Sequence, residues 1–201
     1  MMNLSEARHL AAERSTVRLV NVLRRTRVTP NALTLMGFAA SGAAAAVIAK
    51  EYLLVGGLLV LLSGAFDLFD GPLARAKGQS TRFGAIVDST CDRLGEAAVL
   101  LGLLIVYVNK DATWEPLLIY TTFVGSVLVS YVRARAEALG MKCEVGIFTR
   151  AERVVLLALG LILTHWMDKA MLVILCILTA FTLITVLQRL IYLRGQANQG
   201  G

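Results

Sequence analysis

The chain has 201 residues, of which 57% are hydrophobic and 17% charged, with a net charge of +6. That balance excludes an ordinary water-soluble domain and places the chain in a bilayer. Aromatics are sparse (7%) and the basic residues flank apolar runs, which argues against nucleic acid as a partner. Cys91, Cys143 and Cys176 are odd in number and lack CxxC spacing, so neither a disulfide framework nor a zinc site is expected.

In chain order, residues 4–25 set Leu10, Val17, Val20 and Leu23 among Arg8, Arg14, Arg18, Arg24 and Arg25. This pattern predicts a basic amphipathic helix lying on an anionic leaflet. It carries no cleavage pattern, so no secretory leader is expected. Thr29-Pro30-Asn31 breaks the pattern, with Asn31 as the expected cap of the first span.

Apolar runs predict spans near 32–48, 52–75, 84–108, 116–139, 152–166 and 170–192, the fifth being short. The expected fold is an all-α integral membrane protein: six transmembrane helices preceded by the N-terminal interfacial helix. Its parts are an arm at 1–30, a six-helix domain at 31–193 and a polar tail at 194–201. All Lys and Arg except Lys50, Lys110 and Lys169 fall in the arm, around 75–82 and 140–151, or near the last span's end. The positive-inside rule therefore turns both termini toward the cytoplasm.

Acidic residues mark the functional region. Asp67, Asp70, Asp88 and Asp92 fall within twenty-six residues of otherwise apolar sequence, where ionisable groups are costly unless they hold something. Asp67, Asp70, Gly71, Ala74 and Arg75 share one helical face, as do Gly84, Asp88 and Asp92. If the chain turns between Arg75 and Gly84, Asp67 and Asp92 each lie about 12 Å from the turn at 1.5 Å per residue. Asp70 and Asp88 are level as well. Four facing carboxylates need cations between them, and oxygen-only ligands favour Mg²⁺, Mn²⁺ or Ca²⁺.

A second polar cluster gathers Arg133, Arg135, Arg150, Arg153 and Arg189 on the same side, with Glu137 and Glu152 placed to orient some of them. Together these arginines predict an anion pocket suited to phosphate.

The run Asp67-x-x-Asp70-Gly71-x-x-Ala74-Arg75, eight residues, then Gly84-x-x-x-Asp88-x-x-x-Asp92 resembles the full signature of the CDP-alcohol phosphotransferases, membrane enzymes of phospholipid synthesis. The resemblance implies that a CDP-linked lipid, CDP-diacylglycerol or a CDP-archaeol type, gives its phosphatidyl group to an alcohol and releases CMP. It implies two Mg²⁺ or Mn²⁺ ions on Asp67, Asp70, Asp88 and Asp92, with Asp92 also the general base. Asn31, Ala32, Thr34, Gly71, Ala74, Arg75 and Thr81 would meet the nucleotide. A homodimer is common in the family, though nothing in the sequence requires one.

Ser130-Tyr-x-Arg133-Ala-Arg-Ala-Glu and Arg150-x-Glu-Arg153 are similar to the branch that transfers to inositol phosphate. By that resemblance Ser130, Arg133, Arg153 and Arg189 bind the acceptor phosphate. Two positions depart from the branch: Arg133 stands where lysine is frequent, and Leu94-Gly95-Glu96-Ala97 where a Ser-Asp-Gly-like run is frequent. Glycerol 3-phosphate or an unphosphorylated alcohol stays open as acceptor. A divalent-cation transporter fits the acids but not the arginine cluster or the one-sided placement of the site.

Overall fold

The computed structural model describes residues 28–197, so the amphipathic helix expected at 4–25 lies outside the described residues. Six helices and no strands are found among them: α1 Pro30–Ala49, α2 Leu53–Ala76, α3 Arg82–Asn109, α4 Trp114–Ala138, α5 Arg150–Leu163 and α6 Ala170–Ala197. α1, α2, α4 and α6 are long and apolar enough to cross a membrane. α3 has the length, at 28 residues, but its stretch 82–96 carries Arg82, Asp88, Asp92, Arg93 and Glu96. α5, with 14 residues, spans about 21 Å at 1.5 Å per residue.

Local sequence sets the ends of these helices. Thr29, not Asn31, caps α1: it is extended (φ −88°, ψ 153°) and its hydroxyl accepts from the Ala32 N–H at 3.3 Å. Pro30, preset for the first helical position and lacking a donor, puts the cap one residue before itself. Asn31 is thereby released from capping. α2 runs through Pro72 to Ala76, and the chain reverses at Gly78 (φ 64°). Thr81 then caps α3, accepting from the Gly84 N–H at 2.9 Å. Lys77 Nζ donates to the Val28 carbonyl at 2.7 Å and ties this turn to the start of α1. α6 continues past the expected boundary at 193, because Arg194 and Gln196 prolong the helix and Gln196 donates to the Lys142 carbonyl at 2.9 Å.

α1 packs on α2 and α3, α2 on α5, and α4 on α6. The α1–α3 approach depends on Gly102, where a Cβ would lie 2.4 Å from the Ala45 carbonyl oxygen. Ile48, Leu103, Ile119, Leu161, Met171 and Leu175 fill the interior. Polar groups are buried there too, each with a partner on another helix: Ser41 with Ser63 (2.7 Å), Ser63 with the Gly37 carbonyl (2.8 Å), Thr122 with Thr179 (2.8 Å). Large apolar side chains such as Leu35, Leu58, Leu101, Leu117 and Ile191 face outward. Hydroxyls inside and hydrocarbon outside is the distribution expected of helices packed in lipid. At the far end, the Glu51–Lys110 pair (3.0 Å) joins the α1–α2 and α3–α4 turns.

Candidate active site

α2 and α3 bring the signature acids together in the register that their spacing predicts. Asp67 Oδ2 accepts from Arg150 Nη2 at 2.8 Å, and Asp92 Oδ2 lies 2.9 Å from Nη1 of the same guanidinium. One cation on α5 thus spans one acid from each helix. Asp67 is admitted by Gly37 of α1, where a Cβ would sit 2.7 Å from its Oδ1. Asp70, buried, accepts from the Thr34 hydroxyl at 2.9 Å and from the Gly71 N–H at 2.5 Å.

Asp70 and Asp88 line a cavity of about 230 Å³. Its walls include Asn31, Thr34, Gly71, Ala74, Arg75 and Thr81, together with Gln79 and Ser80 from the α2–α3 turn. Gln79 was not expected there. Ala32 is not part of the wall; its N–H is used in the α1 cap. Gly71 and Ala74 keep the α2 side of the cavity free of bulk.

The four acids therefore stand as two pairs. Among the described residues, no three acidic, histidine or cysteine side chains are close enough together to hold a metal ion as they stand. Arg150 takes an oxygen from Asp67 and from Asp92. The donor set nonetheless fits a hard divalent ion, being all oxygen, and a cationic group already occupies the space between two of its members.

Below this bridge runs a second link between α3 and α5. Arg153 Nε and Nη2 donate to the two carboxylate oxygens of Glu96 at 2.9 and 3.2 Å. Asp92 and Glu96 lie at i and i+4 on α3, Arg150 and Arg153 at i and i+3 on α5, so the pairs form two successive rungs. A cavity of about 20 Å³, room for one water, lies between Ser41, Ser63, Glu96 and the two arginines. Arg150 Nε and Arg153 Nη1 are buried and have no hydrogen-bond partner among the described residues.

The expected anion pocket is not assembled as a single patch. Arg153 is committed to Glu96, while Arg189 donates to the carbonyls of Val145 (2.9 Å) and Val129 and so pins the α4–α5 loop. Arg133 is exposed and pairs with Glu137 at 2.8 Å, as expected of that glutamate. Ser130 faces a groove of about 530 Å³ between α3 and α4, with Ser89, Arg93 and Tyr131. Glu152 instead completes a capping box with Thr149 at the start of α5.

Sequence reasoning missed two features. In sequence Arg150 is one basic residue among five, and Glu96 extends the face of Asp88 and Asp92 and departs from a familiar run, with no partner indicated for either. The available signal was their spacing, which places each one helical step from a residue already singled out.

A transmembrane helical bundle with a divided acidic site and an adjoining polar cavity defines the class. The chain belongs to the CDP-alcohol phosphatidyltransferase family, whose profile matches residues 27–191, and is a transferase. It is 37% identical over 182 residues to the phosphatidylinositol phosphate synthase of Mycobacteroides abscessus, covering 86% of this chain and 80% of that one. It is 38% identical over 165 residues to the archaetidylinositol phosphate synthase of Methanothermobacter thermautotrophicus, covering 80% of each. The solved phosphatidylinositol phosphate synthase of Mycobacterium tuberculosis matches in two states. With CDP-DAG bound, the TM-score is 0.79 at 33% identity, covering 88% of this chain and 92% of that one. In complex with manganese and citrate, it is 0.77 at 32%, covering 87% of each.

Proposed function

We propose that this chain transfers a phosphatidyl group, or its ether-lipid analogue, from a CDP-linked lipid to inositol 1-phosphate and releases CMP. The observation that carries the reading is the union of the Thr34–Asp70–Asp88 cavity with the Asp67–Arg150–Asp92 bridge, the four acids coming from α2 and α3, Thr34 from α1 and Arg150 from α5. The relatives are named as synthases of phosphatidylinositol phosphate and archaetidylinositol phosphate, and one was solved with CDP-DAG bound.

In this reading Asp67, Asp70, Asp88 and Asp92 hold divalent ions, Mg²⁺ or Mn²⁺. Such ions, when bound, offset the charge of the diphosphate. Thr34 orients Asp70 through its hydrogen bond. Asn31, Gly71, Ala74, Arg75 and Thr81 form the cytidine and phosphate walls, with the small side chains allowing the nucleotide to approach the α2 backbone. Asp92 takes the proton of the acceptor hydroxyl as it attacks the lipid-bearing phosphorus, and CMP departs with the broken diphosphate bond's electrons. Ser130 and Arg133 hold the acceptor phosphate, and Arg153 and Arg189, expected beside them, join only by leaving Glu96 and the Val145 and Val129 carbonyls. Arg133, exposed and paired only at the surface, is the member freest to turn toward it.

The topology proposed is six spans, with α3 and α5 completing the set, both termini and the acids on the cytoplasmic side, and an interfacial arm before residue 31. The test supplies purified protein with CDP-diacylglycerol and Mg²⁺ or Mn²⁺, offers inositol 1-phosphate, glycerol 3-phosphate or inositol, and measures CMP. Release with inositol 1-phosphate alone supports the reading. Preference for another alcohol overturns the acceptor, and no release with any of them overturns the reaction.

A further inference from the structure

The Arg150 bridge has a particular construction. Its guanidinium gives one nitrogen to Asp67 on α2 and another to Asp92 on α3, at 2.8 and 2.9 Å, while the third, Nε, is buried without a partner among the described residues. The backbone beneath it is anchored independently. The Thr149–Glu152 capping box fixes the start of α5, and Arg153, one turn on, is locked to Glu96. The Arg150 side chain can therefore leave the acids without α5 moving. The space it fills lies between two oxygens that a metal ion would also need.

We propose that Arg150 is a positioning residue, the internal counter-ion of Asp67 and Asp92, and that a divalent cation gains its place by displacing the guanidinium. The inference rests on reading Asp67 and Asp92 as metal ligands. Its logic is competitive. Two acids on separate helices repel unless a cation stands between them, and Arg150 supplies one from within the chain. Whatever holds those oxygens opposes a second occupant, and by linkage the second occupant expels the first. A guanidinium that merely buttressed the site from outside would act in the opposite direction, and its loss would weaken metal binding.

Two measurements on the full chain in detergent decide the matter. In the unmodified protein, Arg150 should react slowly with phenylglyoxal, followed by mass spectrometry, and Mn²⁺ should speed that reaction about tenfold or more, a shift of about one decade in the exchange equilibrium. A rate that Mn²⁺ leaves unchanged or lowers overturns displacement. In Arg150→Ala, the dissociation constant for Mn²⁺, read from the free-ion electron paramagnetic resonance signal, should fall about tenfold. A constant that is unchanged or higher overturns the competition. Asp67→Asn checks the underlying reading separately: lost Mn²⁺ affinity upholds Asp67 as a ligand, and full retention removes it, whatever Arg150 does.

Discussion

Glu96 and Arg153 meet as a two-point ion pair inside the bundle, with side chains only 8% and 3% exposed. The pair joins α3 to α5 one turn below the signature acids. Removing one partner leaves the other charged and enclosed, so Glu96→Ala should destabilise the protein by about 3–5 kcal/mol. Thermal unfolding in detergent is the readout. Replacing both residues with apolar ones of similar volume should recover part of that loss.

The proposed roles of the acids separate by assay. Asp92→Asn should lower CMP release by roughly 10²- to 10⁴-fold, the usual contribution of a positioned base, while CDP-lipid binding survives. Asp67→Asn should lose metal-dependent nucleotide binding as well. Equilibrium binding of labelled CDP-lipid, with and without Mn²⁺, distinguishes the two variants.

For the acceptor phosphate, Arg133 is a cleaner probe than Arg153, whose removal also breaks a buried pair. The surface contact of Arg133 with Glu137 is worth no more than about 1 kcal/mol. Arg133→Ala should therefore leave the melting temperature nearly unchanged. It should raise the KM for inositol 1-phosphate about tenfold, the loss of one charge-assisted contact. An unaltered KM would free Arg133 from the acceptor site.

Glycine positions give a fourth prediction. At Gly102, an added methyl would meet backbone, the Ala45 carbonyl, at 2.4 Å, and α1 and α3 would have to part. Gly102→Ala should cost about 1–3 kcal/mol as an overpacking defect. At Gly37 the clash is with the movable end of Asp67, at 2.7 Å. Gly37→Ala should fold nearly as well as the parent yet bind Mn²⁺ more weakly, which a melting curve and a metal titration on one sample would reveal.

The sequence made some of this legible and left the rest hidden, for identifiable reasons. The register of Asp67 against Asp92 and of Asp70 against Asp88 follows from local helical spacing, and the structure places each pair level. Helices α1, α2, α4 and α6 were legible because apolar runs need no partner to be recognised. Arg150 and Glu96 were not, since their meaning depends on contacts spanning 57 or more positions along the chain, as with Arg153 and Glu96. The cap of α1 was misread by two residues because Thr29 and Asn31 are both good capping types, and Pro30 between them decides. The end of α6 was missed because polar side chains can prolong a helix when one of them, Gln196, finds a loop carbonyl.

Ser63 bonds to both Ser41 and the Gly37 carbonyl, both on the preceding helix. These two latches set the height of α1 against α2 and prevent either from sliding along the other. The wall of the Asp70–Asp88 cavity that carries Thr34 and Asp70 is for that reason a fixed jamb, held at its mouth as well by the tie from Lys77 to the Val28 carbonyl.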